Sequence, residues 1–232
     1  MYYEDSEIID PYNLFGFEGF WGWGCYGTLL SEKNQVVFGT PPTTEEQTLH
    51  LTAGWNWISL YVEVGDTAEA LQMLEAALGE HGLKISAMDD YTTYEDGKWG
   101  AMGDLEELTN GQMYMVLVDE DIEVTLEGIP SNPIDYTITI LPNNWTWIGF
   151  PSAEAIAVED AFADFEAEDG DKIQGVEDYT KYEDREWGAM GDLEELTPGQ
   201  GYMYFSNSTQ PKTLVVMTRA KAKAGSPRME RN

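Results

Sequence analysis

The sequence has little cysteine, histidine or basic charge. Among 232 residues there are one Cys (Cys25), two His (His50 and His81), and 12 Lys or Arg against 43 Asp or Glu. A single thiol excludes an intrachain disulfide framework and a Cys-based zinc cluster. Two His leave most hydrolytic and metal chemistry without its usual residue. The net charge of −31 argues against nucleic acid and anionic membranes as partners, because both select basic surfaces.

Long apolar runs and a targeting signal are also missing from the sequence. No stretch approaches the roughly 18 apolar residues that a transmembrane helix needs, so we expect no membrane insertion. The N-terminal residues 1–5 have neither the basic nor the apolar region of a signal peptide. We therefore expect either an intracellular protein or a fragment that lacks its signal peptide.

Aromatic residues and acidic residues are abundant. The chain has 8 Trp, 13 Tyr and 8 Phe, which argues against a disordered acidic protein and predicts a packed core. The charge is unevenly distributed, because residues 219–232 hold five basic residues and one acid while the rest of the chain carries −35. Residues 218–232 are therefore predicted to be a basic, disordered tail.

An internal repeat organises the chain. Residues 90–109 reappear as residues 178–197, 88 positions later, and the match continues from residues 110–115 to residues 198–203. Upstream, Trp-Asn-Trp-Ile-Ser at residues 55–59 matches Trp-Thr-Trp-Ile-Gly at residues 145–149, 90 positions later. A repeat of this length is a small domain rather than one turn of a solenoid.

Each repeat predicts a β-rich α+β module, mostly antiparallel strands with one helix. Alternating residues predict strands at 48–52 and 136–140, and Leu residues at helical spacing predict a helix over 67–78 with a counterpart over 155–165. Further strands are predicted to open at Lys84 and Lys172, at Trp99 and Trp187, and over 112–118 and 201–206. The turn before Trp99 contains Gly97 and is expected to suit a hairpin better than the turn with Arg185.

The repeat divides the chain into four predicted regions. Residues 1–47 form an aromatic and Gly-rich segment with a linker, interpreted as the remnant of a preceding module. Residues 48–128 and 129–217 form two tandem homologous modules, and residues 218–232 form the tail.

The repeated blocks resemble a known bacterial module. A Gly-Trp-Asn-Trp-Ile-Ser strand at residues 54–59 and a Leu-Thr-Pro-Gly-Gln-Gly-Tyr segment at residues 196–202 are similar to the opening and closing segments of modules in large secreted or surface-anchored bacterial proteins. The first repeat departs from the closing pattern at Asn110 and Met113. The resemblance implies an extracellular or cell-surface fragment and no established chemistry.

The repeated aromatic residues are the candidate ligand-binding residues. Trp99 with Tyr94 and Trp187 with Tyr182 flank the repeated hairpin beside acids, where exposed rings stack on sugars. The alternative is that these rings anchor the core, since each module needs large apolar side chains. Trp57 and Trp147 are predicted to be core residues.

The acidic residues predict neither catalysis nor a strong metal site. Glu106-Glu107 and Glu194-Glu195 are neighbours on solvated turns, whereas general acid–base chemistry needs carboxylates across a cleft. The acidic run over residues 164–171 fails the EF-hand pattern, so no cofactor is predicted and Ca²⁺ stays a minor alternative.

We therefore expect a non-enzymatic module pair that acts in adhesion, spacing or ligand binding, with a glycan or another surface protein as partner. A carbohydrate-binding accessory region and an acidic decoy that mimics nucleic acid are the alternatives.

Overall fold

The computed structural model describes residues 27–30, 35–38 and 43–215. The chain divides into two compact units, Met1–Thr43 and Thr44–Asn232. In the first unit, strands β1 (Gly27–Leu30) and β2 (Gln35–Phe38) pair as an antiparallel hairpin. The predicted tail at 218–232, and what is predicted for the remainder of 1–42, lie outside the described residues.

The first repeat contains seven strands and the main helix of the described region. Its elements are β3 (Glu45–Leu51), β4 (Gly54–Ile58), β5 (Val62–Glu63), α1 (Thr67–Leu78), β6 (Gly82–Ser86), β7 (Tyr91–Thr93), β8 (Tyr114–Val118) and β9 (Ile122–Pro130). A 3₁₀ turn follows the helix directly.

The second repeat contains nine strands and one short helix. Its elements are β10 (Thr137–Ile140), β11 (Trp145–Gly149), β12 (Ile156–Ala157), α2 (Val158–Ala161), β13 (Lys172–Gln174), β14 (Tyr179–Glu183), β15 (Glu186–Met190), β16 (Glu195–Leu196), β17 (Gly201–Phe205) and β18 (Lys212–Val215). A 3₁₀ turn at Pro133–Asp135 connects the two repeats.

The main sheets of the two repeats share the order of four strands, and the second sheet has one strand more. The first sheet has the order β4-β8-β6-β7 and the second β11-β17-β13-β14-β15. Trp55 pairs with Leu117 in the first sheet, and their counterparts Trp145 and Phe205 pair in the second. The outer strands also correspond, since β3 pairs with β9 and β10 with β18.

Each repeat encloses its own hydrophobic cluster. In the first, α1 packs its buried face, which includes Leu71 and Leu74, against buried residues of the sheets such as Val116 and Leu126. In the second, Phe162 and Phe150 join Ile173 and Tyr204. Burial of these side chains is the main stabilising contribution, at about 25 cal/mol per Å² of apolar surface.

The predicted helix over residues 67–78 is confirmed, whereas its predicted counterpart over 155–165 is wrong in extent. Asp66 caps α1 in a capping box with Glu69, which satisfies the free N–H groups of the first turn. The helix α2 has four residues and begins at Val158, and the side chain of Ala157, at the N-cap position, cannot cap it. Strand β12 occupies the preceding residues, so only one turn of helix forms.

The two repeated hairpins differ in a way opposite to the sequence expectation. In the second repeat, β14 and β15 pair as a hairpin with a register shift between Lys181 and Tyr182, although Asp184 and Arg185 have φ of 53° and 70°. In the first repeat, Gly97 occupies the Arg185 position with φ of 81°, yet only an isolated bridge joins Glu95 to Lys98. The better turn residue therefore does not produce the longer hairpin.

The prediction that Trp57 and Trp147 are core residues is wrong. Both are only half-buried, and it is Ile58 and Ile148 that point into the hydrophobic clusters, 2% and 1% exposed. Side chains alternate along a strand, so the tryptophans occupy the opposite face of each sheet.

The two repeats contact each other through equivalent residues. The amide of Ser59 donates to the carbonyl of Gly199 at 3.0 Å, and the amide of Gly149 donates to the carbonyl of Gly111 at 2.9 Å. Ser59 and Gly149 occupy the same position in the repeat, and so do Gly111 and Gly199. We call this reciprocal arrangement the inter-repeat contact; it relates the repeats by an approximate two-fold axis, as in an isologous dimer interface.

The side chains near this axis are tightly packed. Met113 is 1% exposed and contacts Gly201, the residue at its own position in the second repeat. The hydroxyl of Ser59 donates to the carbonyl of Gln200 at 2.7 Å. The phenol of Tyr136 donates to the Glu63 carboxylate at 2.7 Å and adds a further link.

The described structure is therefore β-rich, with several antiparallel sheets and one main helix. Residues from Thr44 onwards form one compact unit, so the division at residue 128 into two modules stays a prediction. No helix among the described residues is both long and apolar enough to cross a bilayer.

Candidate functional site

A groove of about 800 Å³ lies where the two repeats meet. One wall comes from the first repeat, at residues 48–52 and 55–58. The other wall comes from turns of the second repeat, at residues 175–178 and 192–200. We call it the first groove; its volume is in the range of small-ligand and peptide sites.

Two tryptophans of strand β4 line the first groove. Trp55 is 46% exposed and Trp57 is half-buried, and their positions two residues apart place both rings on the same face of the sheet. This face does not form the core, because the next residue, Ile58, points to the opposite face of the strand and is the one that fills the core. Exposed indole rings are energetically unfavourable in water and favour contact with a ligand that has apolar or cationic groups.

Five carboxylates surround the tryptophans. They come from the turns of the second repeat and are all exposed: Glu177, Asp178, Asp192, Glu194 and Glu195. None of the residues that line the groove is Lys or Arg. The one basic ring in the lining, that of His50, is paired at 3.1 Å with Glu123. A concave surface lined by one sign of charge concentrates counter-charged ligands.

The floor of the first groove is held rigidly. The phenolic oxygen of Tyr202 accepts a hydrogen bond from the amide of Thr197 at 2.6 Å, which fixes the turn that carries Gly199. Burial raises the pKa of Tyr202, although its hydrogen bonds with Thr197 act in the opposite direction. Gly199 packs against Leu49 from the opposite wall, so the two walls are joined at their base.

The predicted site residues Trp99 and Tyr94 lie outside the first groove. Trp99 is half-buried against the first hydrophobic cluster, and its indole N–H donates to the carbonyl of Glu75 at 3.0 Å. The ring of Tyr94 is 5.6 Å from that of Trp99. The structure therefore brings this predicted pair together and fixes the indole on helix α1.

The second predicted pair, Trp187 and Tyr182, is also together, with ring centroids 5.2 Å apart. Trp187 is half-buried and packs against Phe162 and Tyr204 at 5.5 and 6.2 Å. These contacts are those of a core anchor. A sugar platform at these four aromatic residues stays a prediction.

The acidic run over residues 164–171 has internal partners. Asp171 is fully buried, and its carboxylate accepts hydrogen bonds from the Tyr204 hydroxyl at 2.6 Å and from the amides of Asn207 and Glu168 at 2.6 and 2.9 Å. Glu168 pairs with Lys212 at 2.7 Å, which lowers the pKa of Glu168. In the part of the chain described, no three His, Cys, Asp or Glu side chains form a group suited to a metal ion.

Sequence reasoning missed Trp55 and the groove as a whole. The Trp-x-Trp pattern shows that two rings share a face but not which face is exposed. Of the five carboxylates, the sequence singles out only Glu194 and Glu195, as neighbours on a solvated turn, because the approach of the two repeats cannot be read from either repeat alone.

Comparison with protein-family models, with curated proteins and with solved structures finds no match for this chain.

Proposed function

We propose that residues 44–215 are a non-enzymatic pair of homologous modules, from a secreted or cell-surface protein, that binds a basic peptide segment of a partner protein in the first groove. The observation that carries the proposal is the combination of exposed Trp55, half-buried Trp57 and five carboxylates in one groove without Lys or Arg in its lining. The resemblance of residues 54–59 and 196–202 to surface-protein modules supports the location.

Lys and Arg side chains satisfy both chemical features of the groove. Their charged groups pair with the exposed carboxylates, and their cationic heads or aliphatic stems pack on an indole face. A cation over an exposed ring contributes about 0.5–1 kcal/mol, and ion pairs with the exposed carboxylates add to it. The interaction also speeds association, because the groove attracts positive charge over the Debye length.

A neutral glycan is the competing ligand for this surface. Sugar rings stack on tryptophan, and carboxylates accept hydrogen bonds from hydroxyl groups. Five carboxylates close together repel one another, however, and only a cationic ligand relieves that repulsion. The charge of the groove therefore favours the basic peptide.

Isothermal titration with a short synthetic peptide that alternates Lys and Ser tests the proposal. We expect binding that weakens as salt is added, and no binding of the same peptide with Gln in place of Lys. Trp55→Ala should weaken binding about two- to fivefold, and the pair Asp192→Asn with Glu194→Gln should weaken it further. Glu80→Gln, an exposed acid outside the groove, is the matched control.

The variants separate this proposal from its alternatives. If Trp55→Ala leaves peptide affinity unchanged while the carboxylate variants reduce it, the tryptophans take no part in binding and the proposal is wrong. If neutral oligosaccharides bind in a Trp55-dependent way and the Lys peptide does not, the carbohydrate-binding alternative replaces it.

A further inference from the structure

The inter-repeat contact joins equivalent backbone segments of the two repeats reciprocally. The hydrogen bond from Ser59 to Gly199 places the Trp-x-Trp strand of the first repeat beside a turn of the second. The equivalent bond from Gly149 to Gly111 places the Trp-x-Trp strand of the second repeat beside the matching turn of the first. The two segments that meet at the first groove therefore have equivalents that also meet at the inter-repeat contact.

The tryptophans and the carboxylates of the first groove have counterparts of the same residue class in the other repeat. Trp145 and Trp147 take the places of Trp55 and Trp57. Each of the five carboxylates also has an acidic counterpart 88 positions earlier: Asp89, Asp90, Asp104, Glu106 and Glu107. Apart from Asp90, which is half-buried, these acids are exposed, as in the first groove.

We infer that residues 145–147 together with the turns at 89–90 and 104–107 form a second groove for the same class of ligand, a basic peptide segment, so that the chain is bivalent. The inference rests on the proposed function of the first groove. It commits to a basic occupant because all five positions that correspond to the carboxylates of the first groove are also acidic, which favours a ligand of positive charge.

The second groove is expected to bind more weakly than the first. The ring of Trp145 is packed on Phe205, with centroids 5.3 Å apart, whereas Leu117 occupies the Phe205 position in the first repeat. Two of its carboxylates already accept hydrogen bonds, since Asp90 accepts from the amide of Asp104 at 3.1 Å and Glu107 from Thr67 at 2.8 Å. Because these two carboxylates are less available to a ligand, we expect the affinity of the second groove to be about tenfold lower than that of the first.

Matched carboxylate pairs test the inference in the full chain. Asp192→Asn with Glu194→Gln neutralises the first groove, and Asp104→Asn with Glu106→Gln neutralises the equivalent residues of the second. Isothermal titration with the Lys–Ser peptide should give two sites in the unmodified chain, of which each variant pair removes one. Circular dichroism of each variant verifies that the exposed substitutions leave the fold intact.

The outcomes distinguish this inference from the proposed function. A single site that only the 192/194 pair removes overturns the second groove and leaves the first in place. Absence of peptide binding in the unmodified chain overturns both. Two sites, with the weaker one removed by the 104/106 pair alone, support the bivalent chain.

A partner with two basic segments provides a second readout. Two linked Lys–Ser peptides should bind at least tenfold more tightly than one if the linker spans both grooves, because the second binding event becomes intramolecular. The gain should disappear in either variant pair. A gain that survives the 104/106 pair would contradict the second groove.

Discussion

At the residue scale, Met113 and Gly201 explain why one repeat departs from the closing pattern of the other. Both occupy the same repeat position, and they contact each other next to the two-fold axis. Met113 is 1% exposed, and a Cβ atom at Gly201 would overlap its side chain. Two methionines would not fit in this space and two glycines would leave it unfilled, so the departure is a packing adaptation of the inter-repeat contact.

This complementarity predicts coupled stability effects. Gly201→Ala should reduce the free energy of unfolding by about 1–3 kcal/mol through overpacking, and Met113→Ala by about 2–5 kcal/mol through a cavity. Urea denaturation measures both. The double variant should lose less stability than the two single variants lose together, because the shortened side chain at residue 113 makes room for the new methyl group.

A second steric contact limits the rescue. The same Cβ atom would lie 2.9 Å from the carbonyl oxygen of Ile58, and that backbone atom does not move when residue 113 is shortened. The coupling energy should therefore be about 0.5–3 kcal/mol rather than complete compensation. Strictly additive effects would show that the two residues do not pack against each other.

At the scale of secondary-structure elements, the two hairpin turns offer a comparison within one chain. Arg185 and Gly97 share a repeat position and both have positive φ, 70° and 81°. This left-handed conformation suits glycine and strains a residue with a Cβ atom. The hairpin of β14 and β15 nevertheless forms, with Trp187 packed against the second hydrophobic cluster.

Replacing Arg185 with glycine should therefore stabilise the protein. We expect a gain of about 0.5–1 kcal/mol in the free energy of unfolding from relief of backbone strain, visible as a higher melting temperature by calorimetry. Gly97→Arg is the reciprocal control and should lower it by a similar amount. A neutral effect of both changes would mean that the turns relax to another conformation.

Other elements show what the sequence could and could not predict. Helix α1 was predictable to the residue, because Asp66 and Gly79 mark its ends and Leu71, Leu74 and Leu78 recur with helical spacing. The equivalent stretch of the second repeat, residues 155–165, predicts a helix equally strongly. No side chain caps that helix, however, and strand β12 at its start pairs with β16. Tertiary pairing thus overrides local propensity.

The candidate site was harder to predict than the fold. Strands β4 and β11 are apolar on both faces, so the pattern cannot decide which face is buried. That choice is made by β8 and β17, whose buried residues, including Tyr114 and Tyr202, continue the face of Ile58 and Ile148. The first groove also depends on contacts between residues that are about 140 positions apart in the sequence, such as Ser59 and Gln200.

At the scale of the whole molecule, the charge of −31 sets the response to salt. Added NaCl screens the mutual repulsion of the carboxylates, since the Debye length falls from about 10 Å at 0.1 M to about 3 Å at 1 M. We expect the melting temperature to rise across this range by several degrees. A melting temperature that stays constant or falls would show that repulsion does not limit stability.

A charge-reduced variant provides the control for this prediction. Glu80→Gln, Glu159→Gln and Asp164→Asn remove three exposed acids outside both grooves. The variant should melt at a higher temperature in low salt and respond less to NaCl, because less repulsion remains to be screened. An equal response in both proteins would point to a salt effect on hydration rather than on charge.

The pairing of the outer strands also has a mechanical consequence. Strands β3 and β9 are antiparallel neighbours with Glu45 opposite Gly128, and β10 and β18 place Thr137 opposite Val215. The first and last residues of each repeat therefore lie side by side. Tension along the chain would separate each pair of strands one hydrogen bond at a time, like a zipper, rather than shear all the bonds together. In a surface-anchored protein, such repeats would yield at low force and lengthen, absorbing a pull that would otherwise act on the bound partner.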